Sequence, residues 1–463
     1  PLGGSAFAQS LNTIGSDAPT VKDAGYFKQA FAAVQSLVKN NRVLAMHDVS
    51  AGGLVTTLLE MVFANMNGGL SITTEGFVAD GETDLVKILF AENPAVVIQV
   101  DDAKRPVVEK TLSDAGVKFH ILGRPSDERV LLLEHEGTER LMGIDHLRDA
   151  WFEPSYLLDS IQSGAECAAM RFENYRKQPI RYAIPAAFNG TLASRGIAYR
   201  HAVGEGAPRA AIIREKGVNG DREMAYSLYL AGFDVKDVHM TDLMSGRETL
   251  EDVNMIVFCG GFSNSDVLGS AKGWASGFRW NDTAKETLRK FYRRTDTLSL
   301  GICNGCQLMV ELGLLNEGGI DAEVPAAKRV RMEHNISHKF ESQFLGLTIP
   351  ANNSVMLGSM AGMKLGIWVA HGEGRFMLPG SLKDYNVAAK YNYAAYPANP
   401  NGSRGAVAAL ASADGRHLAM MPHLERAIFP WQCGFYPANR RKDEVTPWID
   451  AFINARRWIE ARK

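Results

Sequence analysis

The chain has 463 residues, of which 46% are hydrophobic. Because a single hydrophobic core stops growing at about 250–300 residues, a chain of this length predicts two domains. Lys plus Arg number 50 against 52 Asp plus Glu, which leaves no strong field of either sign to hold a nucleic acid or an anionic membrane surface.

The chain begins Pro1-Leu2-Gly3-Gly4-Ser5 without an initiator Met, which predicts a fragment or a processed form. No apolar run approaches the ~20 residues that a membrane helix needs, and no secretory leader precedes a cleavage site. The five cysteines are odd in number and sparse, unlike a secreted disulfide framework. We therefore expect a cytoplasmic protein with reduced thiols and with neither nucleic acid nor membrane as a partner.

The pattern of apolar residues in 1–152 predicts a first domain of α/β or α+β type. In the predicted helix 27–40, four apolar side chains share one face: Phe27, Phe31, Val34 and Val38. The apolar run 43–46 predicts a short buried strand. Further elements follow in chain order: a helix at 54–66, strands at 70–74, 95–100, 118–122 and 130–134, and a helix at about 102–115.

Periodicity fades after this domain, and the prolines and polar residues of 153–205 predict a linker. The second domain, 206–463, predicts strands that alternate with helices, which is typical of a parallel, doubly wound sheet. Its predicted strands are 210–214, 234–239, 255–259, 298–302 and 418–421, and its predicted helices are 219–231, 282–294 and 305–313. Sites in such sheets form beyond the carboxyl ends of the strands.

Cys303 lies where the predicted strand 298–302 runs into the predicted helix 305–313. Gly301 and Gly305 permit a tight turn that exposes the sulfur, and the helix N-terminus favours thiolate over thiol. The pattern predicts a nucleophile elbow. Two other interpretations of the Cys303 and Cys306 pair stay open: two buried cysteines without a chemical role, or a dithiol redox motif. A structural zinc site is less expected, because it needs a second pair of ligands that the sequence does not supply.

A histidine and a carboxylate follow the last predicted strand, at His423 and Glu425. Residues two apart on an extended segment face the same way, so Glu425 can orient His423 toward Cys303. Alone, this spacing is weakly informative. Together with the elbow it predicts a Cys–His–Glu triad.

The segment GICNGCQ at 301–307 resembles the nucleophile motif of class I glutamine amidotransferases, and PHLE at 422–425 resembles their partner motif. The chain is also similar, over nearly its whole length, to the C-terminal part of the large form of phosphoribosylformylglycinamidine synthase. The motifs that carry this second resemblance are LGGSAFAQ, HDVSAGGL, CGGFSNSD, GICNGCQ, HGEGRF, YPANPNGS and MMPHLER. Two positions depart from the family pattern: Leu424 replaces a proline, and Asn264-Ser265 replaces Tyr-Gly.

The resemblance implies a flavodoxin-like class I glutaminase domain after an α/β domain like the C-terminal one of aminoimidazole-ribonucleotide synthetase. It implies that glutamine hydrolysis supplies ammonia for the ATP-dependent amidation of formylglycinamide ribonucleotide by a synthetase half outside this chain. The backbone amides of Gly261 and Asn304 are candidate oxyanion donors. Gln307 lies one helical turn after the nucleophile, so it contacts the substrate or is a solvated helix-start residue.

In the first domain, His47-Asp48-Val49-Ser50 precedes two glycines and a predicted helix. From the residues alone, Asp48 or Ser50 caps that helix. The resemblance instead implies that Asp48 binds magnesium and that Ser50 contacts ATP. Two further functions are considered from the sequence, a stand-alone thiol hydrolase and a non-catalytic nucleotide-binding or assembly module.

Overall fold

The computed structural model describes residues 1–462. The chain divides into two compact units, Pro1–Ser155 and Tyr156–Lys463. The strands of the first unit are β1 (Ala45–Asp48), β2 (Gly69–Thr73), β3 (Val96–Gln99), β4 (Gly123–Ser126), β5 (Val130–His135) and β6 (Thr138–Gly143). Its helices are α1 (Ala6–Ser10), α2 (Ala24–Lys39), α3 (Gly53–Phe63), α4 (Glu75–Ala79), α5 (Leu85–Phe90) and α6 (Arg105–Asp114), and α7 (Ile144–Gln162) begins here.

The main sheet of the first unit has four strands in the order β4-β2-β5-β6. Only β2 and β5 are parallel. Helices α3 and α5 bury apolar residues such as Leu58 and Ile88 against Leu131 and Leu133 of β5. This packing forms the larger core of the unit, because β5 alternates inward apolar and outward side chains.

Two predictions for the first unit are wrong. The strand predicted to be buried, at 43–46, is largely exposed, because β1 pairs with β3 in a ribbon of two strands rather than within a larger sheet. No strand forms at 118–122. The strand that pairs with β2 here is β4, which begins at Gly123, just after the predicted range.

The predicted apolar face of α2 is also exposed in this chain. Phe27 and Phe31 are 47% and 59% exposed, and the helix buries Ala33 and Leu37 instead. Ala33 and Leu37 pack with Val108 of α6 in a small separate cluster.

The segment 153–205, predicted as a linker, carries the rest of α7 and a helix α8 (Ala165–Asn174). Phe188 and Leu192 are buried in the core of the second unit. Ala183 pairs with Lys364 through two backbone hydrogen bonds of 2.9 and 3.0 Å. The domain boundaries stay a prediction, and much of this segment packs on the second unit.

The second unit contains a nine-stranded sheet in the order β13-β12-β15-β16-β17-β10-β9-β7-β8. Its strands are β7 (Arg209–Arg214), β8 (Asp234–His239), β9 (Met255–Phe258), β10 (Leu298–Ile302), β12 (Glu341–Thr348), β13 (Lys364–His371), β15 (Asn386–Tyr391), β16 (Val407–Ala411) and β17 (His417–Met420). A separate ribbon pairs β11 (Arg331–Glu333) with β14 (Arg375–Met377). The helices are α9 (Asp221–Ala231), α10 (Met240–Ser245), α11 (Lys272–Trp280), α12 (Asp282–Arg293), α13 (Asn304–Glu311) and α14 (Ile449–Glu460).

Five of these strands, β8-β7-β9-β10-β17, are parallel neighbours. In chain order within the unit, this is the 2-1-3-4-5 arrangement of flavodoxin-like sheets, so the predicted doubly wound fold is confirmed. The strands β9 and β10 are buried along their whole length, as expected for a sheet covered on both faces. The remaining strands extend the sheet in antiparallel fashion and end at β13.

Candidate active site

Cys303 lies in a sharp turn between β10 and α13. Its backbone has φ 53° and ψ −108°, a conformation that costs a non-glycine residue about 1–3 kcal/mol. The glycines on either side are required by space, because a Cβ at Gly301 would lie 2.4 Å from the Gly305 carbonyl oxygen. A Cβ at Gly305 would lie 2.0 Å from the carbonyl oxygen of Phe258. The predicted elbow is therefore present in the backbone.

His423 reaches the same place from the neighbouring strand. Strand β17 lies beside β10 in parallel, so the residues that follow it emerge at the same edge of the sheet as Cys303. The backbone N–H of His423 donates to the carbonyl of Trp368 in β13 at 2.9 Å. A Cβ at Gly260 would lie 2.8 Å from His423 Cε1 and 3.2 Å from Cys303 Cβ, so the imidazole and the thiol flank this glycine.

Glu425 binds the imidazole from the other side. Its Oε1 lies 2.6 Å from His423 Nδ1, and both side chains are 2% exposed. Since a carboxylate accepts from Nδ1–H, Nε2 is the nitrogen left for Cys303. The Cys303 thiol also donates to the carbonyl of Ala370, at 3.4 Å.

The electrostatics of His423 favour its protonated form. Burial by itself would lower the pKa of His423, but the Glu425 carboxylate and the nearby Cys303 thiol outweigh burial and raise it to about 9. An imidazolium beside Cys303 stabilises the thiolate, which is the nucleophilic form of cysteine. His423 can therefore hold a proton beside Cys303 at neutral pH.

Cys306 lies in the first turn of α13, three residues after Cys303. It is completely buried, and burial raises the pKa of its thiol well above the usual value. All five cysteines are free, and residues 1–462 contain no cluster of three His, Cys, Asp or Glu side chains that could hold a metal ion. The burial of Cys306 disfavours the dithiol interpretation, because a redox-active thiol must be accessible.

A cavity of about 210 Å³ opens beside Cys303, and Gly261 and Gln307 line it too. Gln307 is only 4% exposed, so the alternative of a solvated helix-start residue is wrong. Its Nε2 donates to the Glu373 carbonyl at 2.7 Å, and its Oε1 accepts from the Asn304 side chain at 3.0 Å. Asn304 opens α13, so its backbone N–H is one of the amides that a helix leaves without an internal partner.

The two departures from the family pattern have different surroundings. Leu424 is fully buried next to the triad. Asn264 and Ser265 both adopt left-handed backbone conformations, with φ of 52° and 56°. Asparagine tolerates this region better than serine does.

The cavity also contains residues to which the sequence motifs assigned no role. In the HGEG segment at 371–374, His371 ends β13 and Glu373 follows it, and both line the cavity. His338, Lys339 and Phe340 line it as well. Nothing in the local sequence pattern of 338–340 distinguishes them from an ordinary surface loop.

Lys339 and Phe340 belong to a loop that is held from behind by a network of charges. Lys339 Nζ lies 2.8 Å from Asp159, and Arg171 bridges Asp159 to Glu341 at the start of β12. The hydroxyl of Tyr396 donates to Glu341 at 2.9 Å. Because Asp159 and Glu341 are nearly inaccessible, their charges depend on these partners.

In the first unit, Asp48 and Ser50 precede α3 without capping it. The N-cap of α3 is Gly52, without a side-chain cap, so the expectation that Asp48 or Ser50 caps the helix is wrong. The Gly52 N–H donates instead to the Glu92 carboxylate at 2.8 Å. Asp48 is 75% exposed and lies 3.4 Å from His47, and Ser50 is exposed.

Comparison with known families agrees with this site. Residues 207–459 match the family described as CobB/CobQ-like glutamine amidotransferase domain. Residues 1–133 match the AIR synthase related protein, C-terminal domain. Since the first match covers more than half of the chain, the protein belongs to the CobB/CobQ-like glutamine amidotransferase family.

The chain is 40% identical over 484 residues to the probable phosphoribosylformylglycinamidine synthase, chloroplastic/mitochondrial, of Arabidopsis thaliana, covering 99% of this chain and 33% of that protein. It is 38% identical over 489 residues to phosphoribosylformylglycinamidine synthase of Homo sapiens, covering 99% and 35%. The solved structure of PurLQS from Thermotoga maritima covers 53% of this chain and 97% of that chain at 26% identity, with a TM-score of 0.41. The predicted resemblance to these synthases is confirmed, and the chain spans about a third of their length.

No helix among residues 1–462 combines the length and the apolar character that a membrane crossing requires.

Proposed function

We propose that this chain hydrolyses glutamine at Cys303 and releases ammonia for the ATP-dependent conversion of formylglycinamide ribonucleotide to formylglycinamidine ribonucleotide. One observation carries the glutaminase assignment. A cysteine on a strained elbow lies beside a buried histidine whose other nitrogen is held by a buried glutamate. This arrangement provides a nucleophile, a proton carrier and an orienting group in one cavity.

The reaction begins when the Cys303 thiolate attacks the carboxamide carbon of glutamine. His423, which holds the proton from the thiol, gives it to the departing nitrogen as the C–N bond breaks, so ammonia leaves and a glutamyl thioester remains. His423 then takes a proton from water as the water oxygen attacks the thioester. The C–S bond breaks, glutamate is released, and the thiolate–imidazolium pair is restored.

The negative charge that develops on the carbonyl oxygen needs preorganised donors. The backbone amides of Gly261 and Asn304 are the proposed pair, since Gly261 lines the cavity after β9 and Asn304 follows Cys303 as the first residue of α13. Removing one such donor typically costs about 3 kcal/mol of transition-state stabilisation. Gln307 is proposed to form part of the wall of the glutamine site, because both polar atoms of its side chain amide are held by hydrogen bonds.

The acceptor half of the reaction is proposed to lie in chain beyond these residues. The relatives are named as phosphoribosylformylglycinamidine synthases, which supports formylglycinamidine ribonucleotide as the product. Formylglycinamide ribonucleotide and ATP are the proposed acceptor and cosubstrate. The domain at residues 1–133 argues against a stand-alone thiol hydrolase. The triad geometry argues against a non-catalytic module.

We propose Asp48 as one magnesium ligand and Ser50 as a contact of the nucleotide. An exposed carboxylate and an exposed hydroxyl before a helix fit these roles. Magnesium takes one or two carboxylates together with phosphates and water, and it would neutralise phosphate charge there. Unchanged binding of magnesium-ATP by Asp48→Asn in a titration would argue against this role. The predicted cytoplasmic location is part of the same proposal, although the Arabidopsis relative is named chloroplastic/mitochondrial.

The glutaminase assignment is tested by measuring glutamate release from glutamine and by locating the adduct of a diazoketone analogue of glutamine by mass spectrometry. We expect the adduct on Cys303. Cys303→Ala should abolish hydrolysis, and the matched variant Cys306→Ala should retain it, because Cys306 is sealed in the core. An adduct on Cys306 alone, or equal loss in both variants, would contradict the assignment.

A further inference from the structure

His371 is a second buried histidine in the cavity of Cys303. It ends strand β13, is 2% exposed and lines the cavity together with Cys303 and Gln307. The residue before it, Ala370, accepts the hydrogen bond from the Cys303 thiol. The mechanism proposed above leaves His371 without a role.

The hydrogen bonds of Asn335 determine which ring nitrogen of His371 carries the proton. Asn335 Oδ1 accepts from the Gly374 N–H at 3.1 Å, and Asn335 Nδ2 donates to the His371 and Lys339 carbonyls at 2.7 and 3.1 Å. The amide of Asn335 is therefore oriented by three backbone groups. The same Oδ1 lies 3.2 Å from His371 Nδ1, so Nδ1 carries the hydrogen and Nε2 has a lone pair.

This lone pair has no protein partner. Nε2 of His371 is buried and forms no hydrogen bond with any of residues 1–462. Burial, together with repulsion from His423, lowers the pKa of His371 to about 3. The ring is therefore neutral at physiological pH and cannot store a proton as His423 does.

We infer that His371 Nε2 is the acceptor for the N–H groups of the glutamine carboxamide and of the ammonia that leaves it. This inference rests on the proposed glutaminase function and adds a residue that selects the substrate. A carboxamide nitrogen carries hydrogens that a lone pair can accept, whereas the carboxylate of glutamate offers only lone pairs. The same atom thus favours glutamine over the product, because pairing glutamate with it leaves two acceptors facing each other.

The test compares two substrates that differ only in the leaving group. Glutamine carries N–H hydrogens there, and L-glutamate γ-methyl ester carries none. In the full chain, His371→Phe should lower kcat/KM for glutamine about tenfold, as expected for one lost hydrogen bond. Hydrolysis of the ester should change less than about twofold, since it makes no such bond.

Two further variants separate this role from a structural one. His371→Gln restores an acceptor oxygen. Its amide-to-ester ratio, which is kcat/KM for glutamine divided by kcat/KM for the ester, should therefore return toward that of the wild type even if its stability is reduced. His417→Phe removes another buried histidine, which binds Ser299 in β10 and stacks on Tyr292 away from the cavity. Its amide-to-ester ratio should equal that of the wild type.

An equal loss of kcat/KM for glutamine and for the ester in His371→Phe would overturn the inference. Identical amide-to-ester ratios in His371→Phe and His371→Gln would overturn it as well. A wild-type chain that hydrolyses the ester but not glutamine would overturn it as well. Failure of the proposed function looks different, because the wild-type chain would then hydrolyse neither substrate.

Discussion

Replacing Glu425 by glutamine tests the electrostatic core of the site. The substitution keeps the size of the side chain and removes the negative charge that lies 2.6 Å from His423 Nδ1. Burial of the imidazole is unchanged, and burial lowers the pKa of histidine. The variant therefore isolates the contribution of one carboxylate to a proton that the proposed mechanism uses.

The magnitude follows from the contact. A hydrogen bond to a charged group contributes roughly 1.5–3 kcal/mol, more than a bond between neutral groups. One pKa unit corresponds to about 1.36 kcal/mol, so loss of the charged partner should lower the pKa of His423 by roughly one to two units. In the wild type this pKa is about 9. The protonated form is present below that pH and is lost as the pH rises through it.

The assay is the pH profile of kcat/KM for glutamine hydrolysis, which reports groups of the free enzyme. The wild-type rate should fall above about pH 9, and Glu425→Gln should move this alkaline limb down by roughly one to two pH units. Glu223→Gln is the matched control, because Glu223 is a nearby acid that pairs with Arg426 instead. An alkaline limb that stays in place in Glu425→Gln would refute the electrostatic argument.

Two more predictions concern space and buried charge. Gly260→Ala places a methyl group against His423, so the rate of glutamine hydrolysis should fall about 100-fold, the typical cost of a 1 Å misplacement. The control Gly204→Ala, whose added Cβ meets no atom within 4 Å, should hydrolyse glutamine at the wild-type rate. Equal rates in the two variants would contradict the steric argument. Arg171→Met strips a partner from two nearly inaccessible carboxylates and should destabilise the protein by about 3 kcal/mol in denaturant unfolding. Lys177→Met breaks only an exposed pair and should leave the unfolding midpoint in place, so similar midpoints for both would disprove the charge network.

The second unit could be predicted well because its signals are local. Strand 298–302 and strand 234–239 were predicted at their observed bounds, since the first is an apolar run before a glycine turn and the second directly follows a helix that ends at a glycine. The elbow at Cys303 was visible for the same reason. The pairing of Cys303 with His423 needed the sheet order, which the alternation of strands and helices implies.

The parts that escaped prediction depend on contacts between distant residues. The buried strand expected at 43–46 is largely exposed, because β1 and β3 form a ribbon of two strands and not part of a larger sheet. The role of Asn335 has no local signal, since its three bonds go to backbone groups that only the fold brings together. The segment 153–205 has weak periodicity, yet Phe188 is buried in a core formed by residues far along the chain.

Strand β13 is the edge of its sheet, and three parts of the site depend on it. Trp368 holds the backbone of His423, Ala370 accepts the hydrogen bond of the thiol, and His371 lines the cavity. Cys303 itself follows the central strand β10. Besides its sheet partner β12, strand β13 is held by backbone hydrogen bonds to Ala183 at Lys364 and to His423 at Trp368. The central strand β10 thus positions the nucleophile, whereas the edge strand β13 positions three of its surroundings. A substitution that displaced β13 would therefore alter the base, the thiol contact and the cavity wall together without changing a triad residue.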